Sequence, residues 1–287
     1  MMNTIRSKQT ILIGAVVLLA FFLFTRDIKG LVKPKQATTG VPAVGQLTSA
    51  GSTINLTEVS TAAKNSINAN LAAEITTLED AYKTASEDEK TKAAKVLAEK
   101  WEDVEQAVPS ALYLEIIANK EHSLNNWLAA GGRLMKAFDN TQDSIISPVL
   151  LQKANTAYTN AVALDSANLE AKTGLGITIV NGMGAPMSGI AMLLDVVKKD
   201  PKNLKASMSL GTFAIKSGQF DKAITRFNEI IALKPSPDAY FYLATAYENL
   251  GKNEEAVNAY LNSKKLAANP TLSNFIDKKV KELKNKN

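Results

Sequence analysis

The sequence has no cysteine and one histidine, His122, in 287 residues. The first absence excludes a disulfide framework, thiolate metal ligands and a thiol nucleophile. The second leaves no histidine-based zinc site and almost no scope for a histidine-centred triad. Aromatic residues are sparse at 6%. No run alternates apolar and polar residues with a period of two, so no half-buried strand is expected. Phosphate-binding loops are missing as well. The pairs Gly174/Gly176 and Gly182/Gly184 follow no strand and lack a third glycine, and no Gly-x4-Gly-Lys-Ser/Thr occurs. The expectation is a protein with no cofactor, no metal and no enzymatic activity.

Net charge is scarce over most of the chain. Of 33 basic and 28 acidic residues, six and one respectively lie within 1–35, leaving 27 of each in the remainder. The formal charge of +5 therefore belongs to the N-terminal segment, not to a basic groove, and nucleic acid is not expected as a partner. What is present is ample apolar content, 46%, with 21% charged residues. That composition fits a chain with a real core and excludes wholesale disorder or a polytopic membrane protein.

Residues 1–9 form a short basic tail, and 10–25 read TILIGAVVLLAFFLFT without a charge. As a helix this run spans about 24 Å, somewhat short of a hydrocarbon core of about 30 Å. A cleaved signal peptide, an uncleaved signal anchor and a buried core helix compete here. No small-x-small cleavage site follows, Arg26-Asp27 comes directly after, and the run is apolar all round. These features favour a single transmembrane anchor. Residues 26–56, rich in Gly, Ser, Thr and Pro beyond 33, read as a flexible linker. The basic-then-apolar order resembles an export signal and favours an extracytoplasmic domain. The four basic residues after the run, against Arg6 and Lys8 before it, favour the opposite orientation.

From 57 onward the pattern is helical. Thr57 is expected to cap a long helix over 58–85. Ser86-Glu87-Asp88-Glu89 reads as a capping box for a second helix that carries Ala93, Val96, Leu97 and Trp101. Pro109 opens the next. Segment 57–122 is either a separate helical unit or a set of diverged repeats. Trp101 and Trp127 read as core residues, and His122 as an exposed or capping residue in a turn.

A repeat is visible in 123–287. Leu210, Gly211, Gly218, Phe220, Ala223, Phe227 and Pro235 recur 33 residues later as Leu243, Ala244, Gly251, Asn253, Ala256, Tyr260 and Ala268. Tyr247 stands on the first helix of the later copy. A looser copy holds Gly184, Gly189, Leu193 and Pro201, with Asn181 to Pro186 as its turn. A further one holds Trp127, Ala130, Gly131 and Leu134, then Ala154, Tyr158 and Ala161, with about eleven extra residues between its helices. Small residues let paired helices approach closely. Gly218 and Gly251 end first helices, and Pro235 stops a second helix. Phe227 and Tyr260 fill the space between repeats. Leu272, Phe275, Ile276, Val280 and Leu283 form one stripe on a terminal capping helix.

These positions resemble the tetratricopeptide repeat, W-x2-L-G-x2-Y, A-x3-F, P. The resemblance implies an all-α solenoid of about three to four repeats between an N-terminal helical segment and a capping helix. It also implies a binding scaffold whose first helices line a concave groove for protein or peptide partners, with self-association a further option. Carried over by position, the groove residues are Lys205, Met208, Thr212, Ile215, Lys216, Phe241, Thr245, Glu248 and Asn249. The carboxylate clamp of chaperone-binding members is not expected, because its positions hold Met208, Thr212, Asp238 and Tyr242. Together with the anchor, the layout is similar to bacterial inner-membrane proteins with a periplasmic repeat domain, and implies an envelope adaptor or chaperone-like factor. The competing reading is a cytoplasm-facing scaffold.

Overall fold

A computed structural model describes residues 54–285. The tail 1–9, the apolar run 10–25 and the linker up to 53 lie outside the described residues. Among the described residues there are thirteen α-helices and no strand. No helix among them is long and apolar enough to cross a membrane.

The first two helices are α1 (Leu56–Lys64) and α2 (Ala69–Thr84), where one long helix was expected. Asn55, not Thr57, is the cap, its side-chain oxygen accepting from the Thr57 amide at 2.9 Å. The chain breaks over 65–68 because Asn68 offers a second cap, accepting from Asn70 N at 2.8 Å. Short polar side chains compete in this way with the continuing helical ladder. The two helices are joined through Glu79, which is buried, accepts from Ser60 Oγ and pairs with Lys64 Nζ at 2.7 Å.

Helix α3 (Glu87–Asp103) starts where the Ser86 signal places it. Neither bond of the expected capping box forms: Ser86 Oγ caps no amide and donates instead to the Glu89 carboxylate. On its buried face are Ala94, Leu97, Ala98 and Trp101. Val96 faces outward, because at 100° per residue it falls off that stripe. Helix α4 (Ala107–Glu121) begins two residues before Pro109, which sits in the first turn where amides are unpaired in any case. His122 closes α4 in the left-handed conformation, φ 48°, and its exposed ring lies 6.1 Å from the buried Trp127.

The repeats follow as α5 (Leu124–Asn140) with α6 (Ile146–Leu164), and α7 (Leu169–Thr178) with α8 (Pro186–Lys199). Then come α9 (Leu204–Lys216) with α10 (Phe220–Leu233), and α11 (Pro237–Asn249) with α12 (Asn253–Leu266). Helix α13 (Pro270–Lys284) ends the series. Consecutive helices pack on one another, and α5, α7, α9 and α11 also touch in sequence, forming an inner layer. The extra residues of the α5/α6 pair are absorbed mostly by length, 17 and 19 residues against 13 and 14 in α9/α10.

Glycines set the close crossings. A Cβ on Gly211 would lie 2.7 Å from the Phe227 ring, and one on Gly189 would lie 2.6 Å from the Gly176 carbonyl oxygen. Gly218 and Gly251, both at φ 72°, terminate α9 and α11. The α7–α8 connection is a π-helical turn, Ile179–Met183, broken by Gly182 at φ 138°. Leu210, Ala223 and Phe227, and then Leu243, Ala256 and Tyr260, are buried, while Tyr247 is half-buried and Pro235 exposed. The capping stripe buries Ile276 and Leu283 and leaves Phe275 44% exposed.

Candidate functional site: the inner groove

The repeat spacing turns one row of each inner helix toward a shared concave surface. One recess on it encloses about 570 Å³. Helix α5 supplies Met135 and Asp139, α7 supplies Ile177, and the π-turn supplies Asn181. Lys205, Met208, Thr212 and Lys216 come from α9, and Tyr242 from α11. Tyr158 reaches the recess from the outer layer. Its ring passes from α6 between Gly131 and Gly174, neither of which could carry a Cβ without pressing on it.

Four of the nine groove residues read from the sequence, Lys205, Met208, Thr212 and Lys216, line this recess. The other five stand elsewhere. Ile215 is half-buried against the C-terminal core. Phe241 joins an aromatic group, 5.6 Å from Tyr260 and 5.9 Å from Phe275. Thr245 Oγ1 donates to the Phe241 carbonyl at 3.0 Å, and Asn249 Nδ2 to the Thr245 carbonyl at 2.8 Å. Glu248 accepts from the Tyr260 hydroxyl and from Lys279 Nζ, both at 2.8 Å. Helix α13 meets Phe241 and Glu248 through Phe275 and Lys279, and α11 presents Tyr242 to the recess.

Met135, Asp139, Ile177, Asn181, Tyr158 and Tyr242 were not among the expected groove positions. Aligning Ala130-Gly131 on Leu210-Gly211 sets Gly132 and Lys136 at the places of Thr212 and Lys216. Both line a second recess of about 350 Å³ with Arg133 and Glu170, so this register marks α5 as a groove helix.

The recess mixes apolar walls with polar groups that lack partners. Lys205 and Lys216 make no ion pair among the described residues, although Lys216 Nζ lies 5.6 Å from the Phe213 ring centroid. Burial pushes the Asp139 carboxyl up, and the Lys216 and Lys205 ammonium groups oppose that rise. Burial, then the charges of Asp238 and Asp139, pushes the Tyr242 hydroxyl up. Tyr158 is pushed up by burial, with Glu170 and Asp139 adding to it. No group of three or more metal-ligating side chains exists among the described residues. The arrangement can hold a ligand by shape, charge and hydrogen bonds.

Geometry of this kind is that of an all-helical repeat solenoid. Residues 214–270 match the tetratricopeptide repeat family, covering α10, α11, α12 and the turns around them. A thermophilic TPR protein of Thermus thermophilus superposes with a TM-score of 0.54 at 16% identity, over 66% of this chain and 98% of that one. MamA gives 0.45 at 20% identity, over 59% and 93%. YrrB, described as a TPR protein with an unusual peptide-binding site, gives 0.43 at 14%, over 67% and 94%. No curated protein matches the chain.

Proposed function

We propose that the solenoid is a non-catalytic scaffold whose inner groove takes a peptide or a partner segment. We also propose that residues 10–25 hold it at the bacterial inner membrane with the repeats on the periplasmic side, where it serves as an envelope adaptor or chaperone-like factor. The observation that carries the reading is the mixed recess of about 570 Å³ on the inner layer. It joins a largely buried apolar wall to polar groups with no hydrogen bond or ion pair among the described residues, the pattern of a recognition surface. The uncharged 16-residue run, flanked by Arg6, Lys8 and Arg26, supports the anchor.

Two measurements test these statements. A photoreactive amino acid at position 212 should give discrete cross-linked adducts in cells, and Met208→Arg should abolish them. Adducts equal to those from position 194, on the outer helix α8, would overturn groove binding. For topology, the absence of cysteine makes Ser49→Cys a single thiol. Labelling of intact cells by a membrane-impermeant maleimide is the expected result. The basic cluster Arg26, Lys29, Lys33 and Lys35 supports the opposite orientation. Labelling only after lysis would establish that second reading, a cytoplasm-facing scaffold for cytosolic proteins.

A further inference from the structure

The chemistry of the main recess is one-sided in a way that specifies its occupant. Four donor-bearing groups on its walls make no hydrogen bond or ion pair among the described residues: the ammonium groups of Lys205 and Lys216, the Tyr158 hydroxyl and the Asn181 amide. The Tyr158 residue is only 1% exposed. Its hydroxyl is not sealed in the core but opens onto the recess. The contrast with Tyr260, the corresponding ring three repeats further on, is direct: there the hydroxyl is satisfied by Glu248 at 2.8 Å. The hydroxyls of Ser209 and Thr212 are already spent on the carbonyls of Lys205 and Ser209 at 2.8 and 2.9 Å, so they do not compete. Asp139 is the acid in the lining, and Glu170 also acts on the Tyr158 hydroxyl. Between them Met135, Ile177, Met208 and Phe213 form an apolar slot.

We infer that the recess binds a partner segment in which carboxylate side chains flank one large apolar side chain. The apolar group enters the slot, and the carboxylates meet Lys205, Lys216 and the Tyr158 hydroxyl. The inference rests on the groove being the binding surface and names the class of partner. It also excludes the chain's own N-terminal segment as the occupant. Residues 1–53 carry one acid, Asp27, against six bases, the wrong sign for this site.

The test uses the full chain and a fluorescent heptapeptide blocked at both ends, with a central phenylalanine between two pairs of glutamates. Two further peptides replace the glutamates by lysines or glutamines. Fluorescence anisotropy should show the glutamate peptide binding about tenfold or more tighter than the lysine peptide, with the advantage shrinking at about 1 M salt. Lys205→Glu combined with Lys216→Glu should reverse the order of the two peptides. Tyr158→Phe keeps the ring and should weaken the glutamate peptide by about threefold to tenfold without moving the Tm. Equal binding of all three peptides, or an order untouched by the lysine reversals, would overturn the acidic class. If Met208→Arg still abolished that binding, the groove reading would stand. Binding of none of the peptides would also overturn the inference, and the cross-linking at position 212 would then decide the groove reading separately.

Discussion

At the residue scale two rings pack directly on glycines, and one of them, Tyr158, reaches the groove. Phe227 is fully buried against Gly211, and Tyr158 lies between Gly131 and Gly174. Gly211→Ala puts a methyl group 2.7 Å from the Phe227 ring. Such overpacking costs about 1–3 kcal/mol, read as a lower urea midpoint at unchanged slope. Gly174→Ala should cost at least as much, and Tyr158→Leu in the same chain should recover part of the loss, because neighbours in contact are not additive. A strictly additive double variant would refute the threading argument. A second residue-scale expectation concerns Lys279, raised above its ordinary value chiefly by its hydrogen bond to Glu248, with burial opposing. A raised lysine contributes stability that is complete below its unfolded value, about 10.4, and is lost as pH climbs through the folded one. Lys279→Met should therefore be less stable than the parent at neutral pH, by no more than about 1 kcal/mol for so open a pair. The gap should close in strongly alkaline urea titrations.

At the element scale, the repeats were readable where a residue type has only one physical use. Gly218 and Gly251 in left-handed caps and Ala223 and Ala256 at crossings left their marks 33 residues apart. The helix over 58–85 was misread because Asn55 and Thr57 are comparable caps. Its break depends on Asn65 and Asn68, residues that a helix tolerates until a competing turn wins. The α11 row expected in the groove meets α13 for a different reason. Position within a repeat assigns Phe241 to the concave face, but α13 occupies the place of a fifth inner helix and takes that row for itself. The capping role of α13 makes its own prediction. Ile276 is fully buried, and Ile276→Ala should cost about 2–5 kcal/mol. The same change should raise the exposure of Tyr260 and Phe241, followed by near-ultraviolet circular dichroism. Phe275→Ala, at a 44% exposed position, should change stability far less.

At the scale of the whole molecule the apolar core is divided. One cluster gathers α1 to α4 around Ile75, Leu97 and Trp101. A middle one runs from α4 to α9, and a third spans α10 to α13. In a solenoid each unit is supported only by its neighbours, so stability is a sum of local terms and the ends open first. Helix α2 buries only Ile75 and Glu79, whereas α6 buries six residues. Native-state hydrogen exchange should therefore rank α1 and α2 as least protected and α5 and α6 as most protected. The groove lies across the seam between the second and third clusters. Met135, Tyr158, Ile177 and Phe213 belong to the middle one, whereas Met208 and Tyr242 pack against the C-terminal one. An occupant of the recess touches both, so it couples the two clusters further, and binding free energy becomes coupling free energy. Saturation with the glutamate peptide should slow exchange in α9 and α11 together and leave α1 to α3 unchanged. Slowing confined to one side of the seam would mean that the ligand sits on a single cluster, and uniform slowing would mean that the solenoid opens as one cooperative body.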